Sequence, residues 1–101
     1  MHARLTRYEG ASPDDVEATL ETKRRVLPSE PGQTEGMKGA VFLVNRDDGT
    51  VLVLSLWEDE DALEASEPEA ARLRDEVTGE GETATAESYE VALFAVEQAR
   101  G

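Results

Sequence analysis

Met37-Lys38-Gly39-Ala40-Val41-Phe42-Leu43-Val44-Asn45-Arg46 runs into Asp47-Asp48-Gly49 and returns as Thr50-Val51-Leu52-Val53-Leu54-Ser55-Leu56-Trp57. The apolar side chains would alternate between two faces, as they do along a strand. Asp-Gly tolerates the positive φ that a tight connection needs, so the spacing predicts a hairpin. Phe42 and Val44 oppose Val41 and Leu43, while Val51, Val53, Ser55 and Trp57 oppose Leu52, Leu54 and Leu56. Both faces of the hairpin are therefore apolar. An antiparallel sheet with one wet side would show polar residues on one of them, so cover is expected on each face.

Upstream, residues 2–9 alternate and form a short strand, with Ala3, Leu5 and Arg7 on one face and Arg4, Thr6 and Tyr8 on the other. Ser12-Pro13-Asp14-Asp15 then starts a helix. Ser12 can accept the N–H of Asp15, Pro13 suits the first helical position, and the two acids sit at the positive end of the dipole. Val16, Leu20 and Leu27 make a thin apolar stripe, and Pro28 and Pro31-Gly32 end the helix. Downstream, Asp59 is an N-cap, and Leu63, Ala70, Leu73 and Val77 share one helical face. Pro68 and the capping-box pattern Ser66-Glu67-Pro68-Glu69 predict two helical pieces meeting near Ser66. A loop with Gly79 and Gly81 leads to a last strand over about Ala86 to Val96.

The order β-α-β-β-α-β predicts one α+β domain over residues 1–101. It would be a ferredoxin-like, four-stranded antiparallel sheet with two helices on one face. Two helices cover one face only, and the chain has no spare segment for the other. An apolar sheet face exceeds what a soluble monomer tolerates. A homodimer, sheet against sheet, is therefore expected.

Composition excludes several classes. Of 101 residues, 23 are acidic and 10 basic, a formal net charge of −13. The basic residues are scattered, with Arg24-Arg25 the one adjacent pair, so no nucleic-acid partner is expected. No cysteine is present, which removes disulfides, thiolate catalysis and Cys-ligated metal. No apolar run approaches the ~20 residues of a membrane helix, and the first residues lack a secretory h-region, so a cytoplasmic protein with no membrane partner is expected. The acidic run Glu58-Asp59-Glu60-Asp61 lacks the spacing of a cation loop and fits a solvated helix start. No metal site is expected.

Gly36-Met37-Lys38-Gly39, the two apolar strands and Leu54-Ser55-Leu56-Trp57-Glu58-Asp59-Glu60-Asp61-Ala62-Leu63 resemble the antibiotic-biosynthesis-monooxygenase (ABM) family, whose members share a strand ending in Trp-Glu before a helix with Ala-Leu. Ala3 to Tyr8 and Tyr89-Glu90-Val91-Ala92 also look like small bacterial members. The resemblance implies a dimeric α/β barrel with a cavity between sheet and helices in each subunit. It implies cofactor-free oxidation of a small aromatic or quinol, haem degradation, or no known activity. The haem-degrading branch uses an Asn in the first strand and a Trp and a His in the second helical region, none of which stands here. No cofactor is expected.

Four residues are candidates for a ligand pocket, and the catalytic residues stay unassigned. Trp57 can stack on an aromatic ligand or pin the third strand to the second helix. Arg4, with Thr6 beside it, can bind a carboxylate or enolate oxygen if its face meets a cavity rather than solvent. Tyr89 can orient a quinol or serve as packing with a wet tip. His2, at the chain start, is expected to be exposed rather than a general base. No matched acid, base and oxyanion donor is visible. A cofactor-free oxygenase and a non-catalytic, ligand-binding or stress-associated dimer both remain open.

Overall fold

The computed structural model describes residues 1–97, so the tail of the expected domain, 98–101, lies outside the described residues. Four strands form one antiparallel sheet: β1 (His2–Glu9), β2 (Met37–Asn45), β3 (Thr50–Trp57) and β4 (Thr83–Glu90). Their spatial order is β2-β3-β1-β4. Helix α1 (Val16–Val26) joins β1 to β2, and α2 (Glu60–Val77) joins β3 to β4. This is the ferredoxin-like arrangement that the element order implied.

The hairpin forms as its residues dictate. Val44 pairs with Val51 and Phe42 with Val53. Gly49 sits at φ +80° in the turn, and its N–H donates to the Asn45 carbonyl at 2.8 Å. A Cβ at Gly36 (φ +80°) would fall 2.5 Å from the Cβ of Ala62. Glycine is thus what lets the start of β2 lie against the first turn of α2.

The start of α1 differs in detail from expectation. Pro13–Asp15 is a 3-10 turn; the Ser12 hydroxyl accepts from the Asp14 N–H, and the Asp15 N–H is taken by the Ser12 carbonyl. Asp59 caps α2, accepting from the Ala62 N–H at 2.8 Å.

Two expectations are corrected. The second helical region is one helix, Glu60–Val77, with Pro68 inside it. Ser66 does not start a new helix because its hydroxyl is used elsewhere: it donates to the Leu63 carbonyl and accepts from Arg4. Pro68 is exposed, so its ring and its missing donor are accommodated on the wet side. The last strand lies over Thr83–Glu90 rather than Ala86 to Val96. It pairs with β1 alone, His2 opposite Glu90, and the final rung is the Val91 N–H on the Met1 carbonyl. Beyond it, residues 91–97 have no strand partner among the described residues.

Residues directly opposite in an antiparallel pair share a face, and the registers therefore sort the sheet. Arg4, Thr6, Tyr8, Val51, Val53, Ser55, Trp57, Phe42 and Val44 face the helices. There Tyr8, Val16, Val51, Val53 and Val77 form one core cluster, and Met37, Trp57 and Leu63 a second. The other face carries Leu5, Leu52, Leu54, Leu56, Val41, Leu43 and Tyr89. No helix covers it, and Leu43 is 47% and Val41 41% exposed.

Candidate functional site

The two core clusters do not merge. Between them, the sheet and the two helices enclose a cavity lined mainly by apolar side chains, among them Trp57, Met37 and Val53 from the sheet and Leu27 and Leu73 from the helix side. Arg4, Thr6, Tyr8, Ser55, Ser66 and Arg74 are among the polar groups of the lining, with Thr34 and Glu69, that could orient a ligand there. The cavity volume is about 70 Å³, about half of the ~150 Å³ that holds one benzene ring, so a bound ring would extend out through its open side.

Arg4 reaches this space because strand parity turns it inward, and it is only 5% exposed. Its Nη2 donates to the Leu63 carbonyl at 3.0 Å and to Ser66 Oγ at 2.9 Å, and meets Glu67 at 2.9 Å. The guanidinium also lies 5.6 Å from the centre of the Trp57 ring, a cation–π contact. Burial lowers the pKa of Arg4, with Glu67 opposing that shift and Arg74 adding to it. A guanidinium nonetheless stays charged.

Trp57 is buried, and its indole N–H donates to Ser55 Oγ at 2.9 Å. It packs with Leu63 and also forms part of the cavity wall. Thr6, next on the same face of β1, is buried and lines the cavity beside Arg4.

Tyr89 is placed elsewhere. It pairs opposite Ala3 and so shares the helix-free face, where it is 48% exposed and its hydroxyl bonds Glu87. One residue of parity separates it from the cavity. The structure therefore brings together Arg4, Thr6 and Trp57 but not Tyr89. His2 belongs to β1 rather than to an exposed end: its Nε2 lies 3.9 Å from Glu60, and it does not line the cavity.

Tyr8 and Arg74 complete the polar lining and were not singled out in the sequence. Tyr8 is 1% exposed, and the Lys23 ammonium lies 4.5 Å from its ring centre. Burial, helped by the charge of Glu82, pushes the Tyr8 phenol up to about 12, with Arg74 opposing. At neutral pH it is a hydrogen-bond donor, not a base. Lys23 and Glu82 are themselves fully buried and paired at 2.9 Å. Glu82 also accepts the Gly79 N–H at 2.9 Å. This pair joins α1 to the loop before β4 beneath the tyrosine. Alternation on β1 put Tyr8 on the face of Arg4 and Thr6 without deciding between cavity and solvent, and nothing in the sequence marked Lys23 or Arg74.

No protein-family model matches the sequence, and no curated protein sequence matches it significantly. Solved structures do match. A Deinococcus radiodurans protein assigned to the antibiotic biosynthesis monooxygenases superposes with a TM-score of 0.72 at 14% identity, over 98% of this chain and all of that one.

The fold is that of the antibiotic biosynthesis monooxygenases.

Two further structures show how broad this ABM fold is. SnoaB, a cofactor-independent oxygenase from Streptomyces nogalater, matches at TM-score 0.60 and 16% identity, over 95% of this chain and 97% of its own. The haem degrader MhuD from Mycobacterium tuberculosis matches at 0.65 and 17%, over 95% and 100%. At these identities the ABM likeness is one of fold, and the chemistry rests on the residues in the cavity. No described helix is long and apolar enough to cross a membrane, and no cluster of three or more metal-ligating side chains occurs among the described residues.

Proposed function

We propose that this chain forms an ABM-type homodimer that binds a small aromatic molecule in the cavity between sheet and helices, and that the bound molecule is a quinol or hydroaromatic oxidised by dioxygen without a cofactor. The observation that carries the reading is the cavity itself, with apolar walls and an inward Arg4 beside Trp57. The walls strip water from an electron-rich ring and hold it in one orientation. Arg4, Thr6 and Tyr8 supply donors and positive charge where an oxygen anion develops. In the overall step a ring CH₂ of a hydroaromatic and O₂ become C=O and H₂O, or a quinol and O₂ become quinone and H₂O₂; the substrate supplies the electrons and dioxygen accepts them.

Haem does not suit this cavity. Its volume falls far short of a porphyrin, and the sole histidine, His2, is not among the lining residues. The homodimer is supported by the helix-free face, whose leucines and valines need a partner surface. A cytoplasmic location is consistent with the absence of a membrane-spanning helix among the described residues.

One observation favours the second reading, a non-catalytic binder. The acids that line the cavity or border it are held by arginines: Glu67 by Arg4 and Arg74, and Glu69 by Arg72. Among the described residues, no free carboxylate or imidazole lines the cavity to take a substrate proton.

Oxygen uptake with a panel of anthrones and quinols, with Trp57 fluorescence followed in parallel, separates the two readings. Uptake above the buffer rate that falls in Arg4→Gln supports the oxygenase. Quenching of Trp57 with no uptake for any compound leaves the binder. Haem added under the same conditions is expected to give no Soret shift, and a strong shift would overturn the exclusion of haem.

A further inference from the structure

A chain with a net charge of −13 places two arginines in the lining of the cavity between sheet and helices. They share one carboxylate: Glu67 meets Arg4 Nη2 at 2.9 Å and Arg74 Nη2 at 3.3 Å. Glu67 borders the cavity; Glu69, the acid in its lining, is engaged by Arg72 through both carboxylate oxygens. Lys23 and Glu82 beneath Tyr8 neutralise each other. The lining therefore carries one positive charge beyond what its own acids balance.

The donors are also underused. A guanidinium has five N–H groups, and the three contacts of Arg4 all fall on Nη2. Its Nε is buried without a partner, and so is Nε of Arg74, whose one side-chain hydrogen bond among the described residues goes to Glu67. Arg4 is 95% buried by the same measure that leaves it 5% exposed. A buried cation with unspent donors costs free energy unless something satisfies it. Ser66 and Glu67 satisfy Nη2 of Arg4 but leave its Nε without a partner.

We propose that the cavity takes its ligand as an anion: an aromatic ring bearing an ionised hydroxyl or a carboxylate, its charged oxygen on Arg4 and Arg74 and its ring against Trp57. This rests on the cavity being the ligand site and names the ionisation state and the class of ligand. A ligand that arrives as its enolate or phenolate also needs no base in the site to form its reactive anion. Planar, two-pronged guanidinium groups suit an oxygen pair better than a point charge does.

The sole tryptophan is Trp57, so quenching of its fluorescence reports on this cavity alone. The probes are 2-hydroxy-1,4-naphthoquinone, an enolate at neutral pH, its neutral parent 1,4-naphthoquinone, and 2-naphthoate as the carboxylate. The absence of cysteine prevents thiol addition to the quinones. The enolate should bind about tenfold or more tighter than the parent, a preference typical of a charge-assisted contact. Arg74→Gln should abolish most of that preference while leaving the neutral parent bound. Arg24→Gln, which removes an equal charge from exposed α1, should leave it intact. Arg74→Lys should keep the charge but weaken two-oxygen ligands. Comparison of the enolate with 2-naphthoate shows which anion the pair prefers. Equal binding of enolate and parent, or a preference unmoved by Arg74→Gln, overturns the anion proposal and leaves the cavity standing. Failure of all three to quench Trp57 overturns the cavity as ligand site, and this proposal with it.

Discussion

The two faces of the sheet differ in a way that runs against the usual partition of a soluble monomer. The face hidden under the helices holds Arg4, Thr6, Tyr8 and, beneath Tyr8, the Lys23–Glu82 pair. The face with no helix holds Leu5, Val41, Leu43, Leu52 and Leu54. Polar groups are bought into an interior only when they are partnered or used. Apolar ones are left on a surface of this extent only when something covers it. The proposed function accounts for both, with a ligand site on the hidden face and an interface on the open one.

The sharpest way to break this contrast is to charge the open face. Leu54→Glu places a carboxylate in the middle of the proposed sheet-to-sheet contact, and a two-fold interface repeats it in the partner. The dimer should weaken by about 5 kcal/mol or more, enough for sedimentation at micromolar concentration to show a folded monomer. A wild-type chain that sediments as a monomer would remove the explanation offered for this face.

On the hidden face, Lys23→Met leaves Glu82 buried and unpaired, which should cost about 3–5 kcal/mol in urea unfolding. Lys23→Met combined with Glu82→Gln should recover most of that loss. A single variant as stable as the wild type would mean that the pair is not sealed from water.

The smallest effect concerns Tyr8. Its phenol titrates at about 12 when folded and at about 10 when unfolded, so the folded state holds its proton more tightly. Stability from this group is fully present below about pH 10 and is lost as pH rises from about 10 to about 12. The loss totals about 2–3 kcal/mol. Tyr8→Phe should lack this part of the alkaline profile, read by chemical denaturation at a series of pH values.

How much of this was legible in the sequence follows from the range of the forces involved. The hairpin over Met37 to Trp57 was readable because alternation and Asp-Gly act within a few residues. Arg4 and Thr6 were legible as a shared face, and cover by the helices settled the question of cavity or solvent. Tyr89 lay one register step from the cavity because β4 takes its parity from β1, not from its own composition. The continuity of α2 through Pro68 was hidden, since Ser66, which reads locally as a cap, is engaged by Arg4 from 62 positions away in the chain. Lys23, Glu82 and Arg74 were hidden for the same reason: nothing within a turn of them distinguishes a buried charge from a wet one.

Pro68 gives α2 a property that its contacts alone do not describe. A proline has no N–H to offer the Glu64 carbonyl, so the roof of the cavity is missing a rung near its middle. Arg4 holds the half before it, at Leu63, Ser66 and Glu67, while Ala70, Leu73 and Arg74 line the cavity from the half after it. The roof is two short spans joined at a weak splice, and amide exchange should be fastest there. Were the cavity to exchange its contents with solvent, the splice would set where the gap opens and how often.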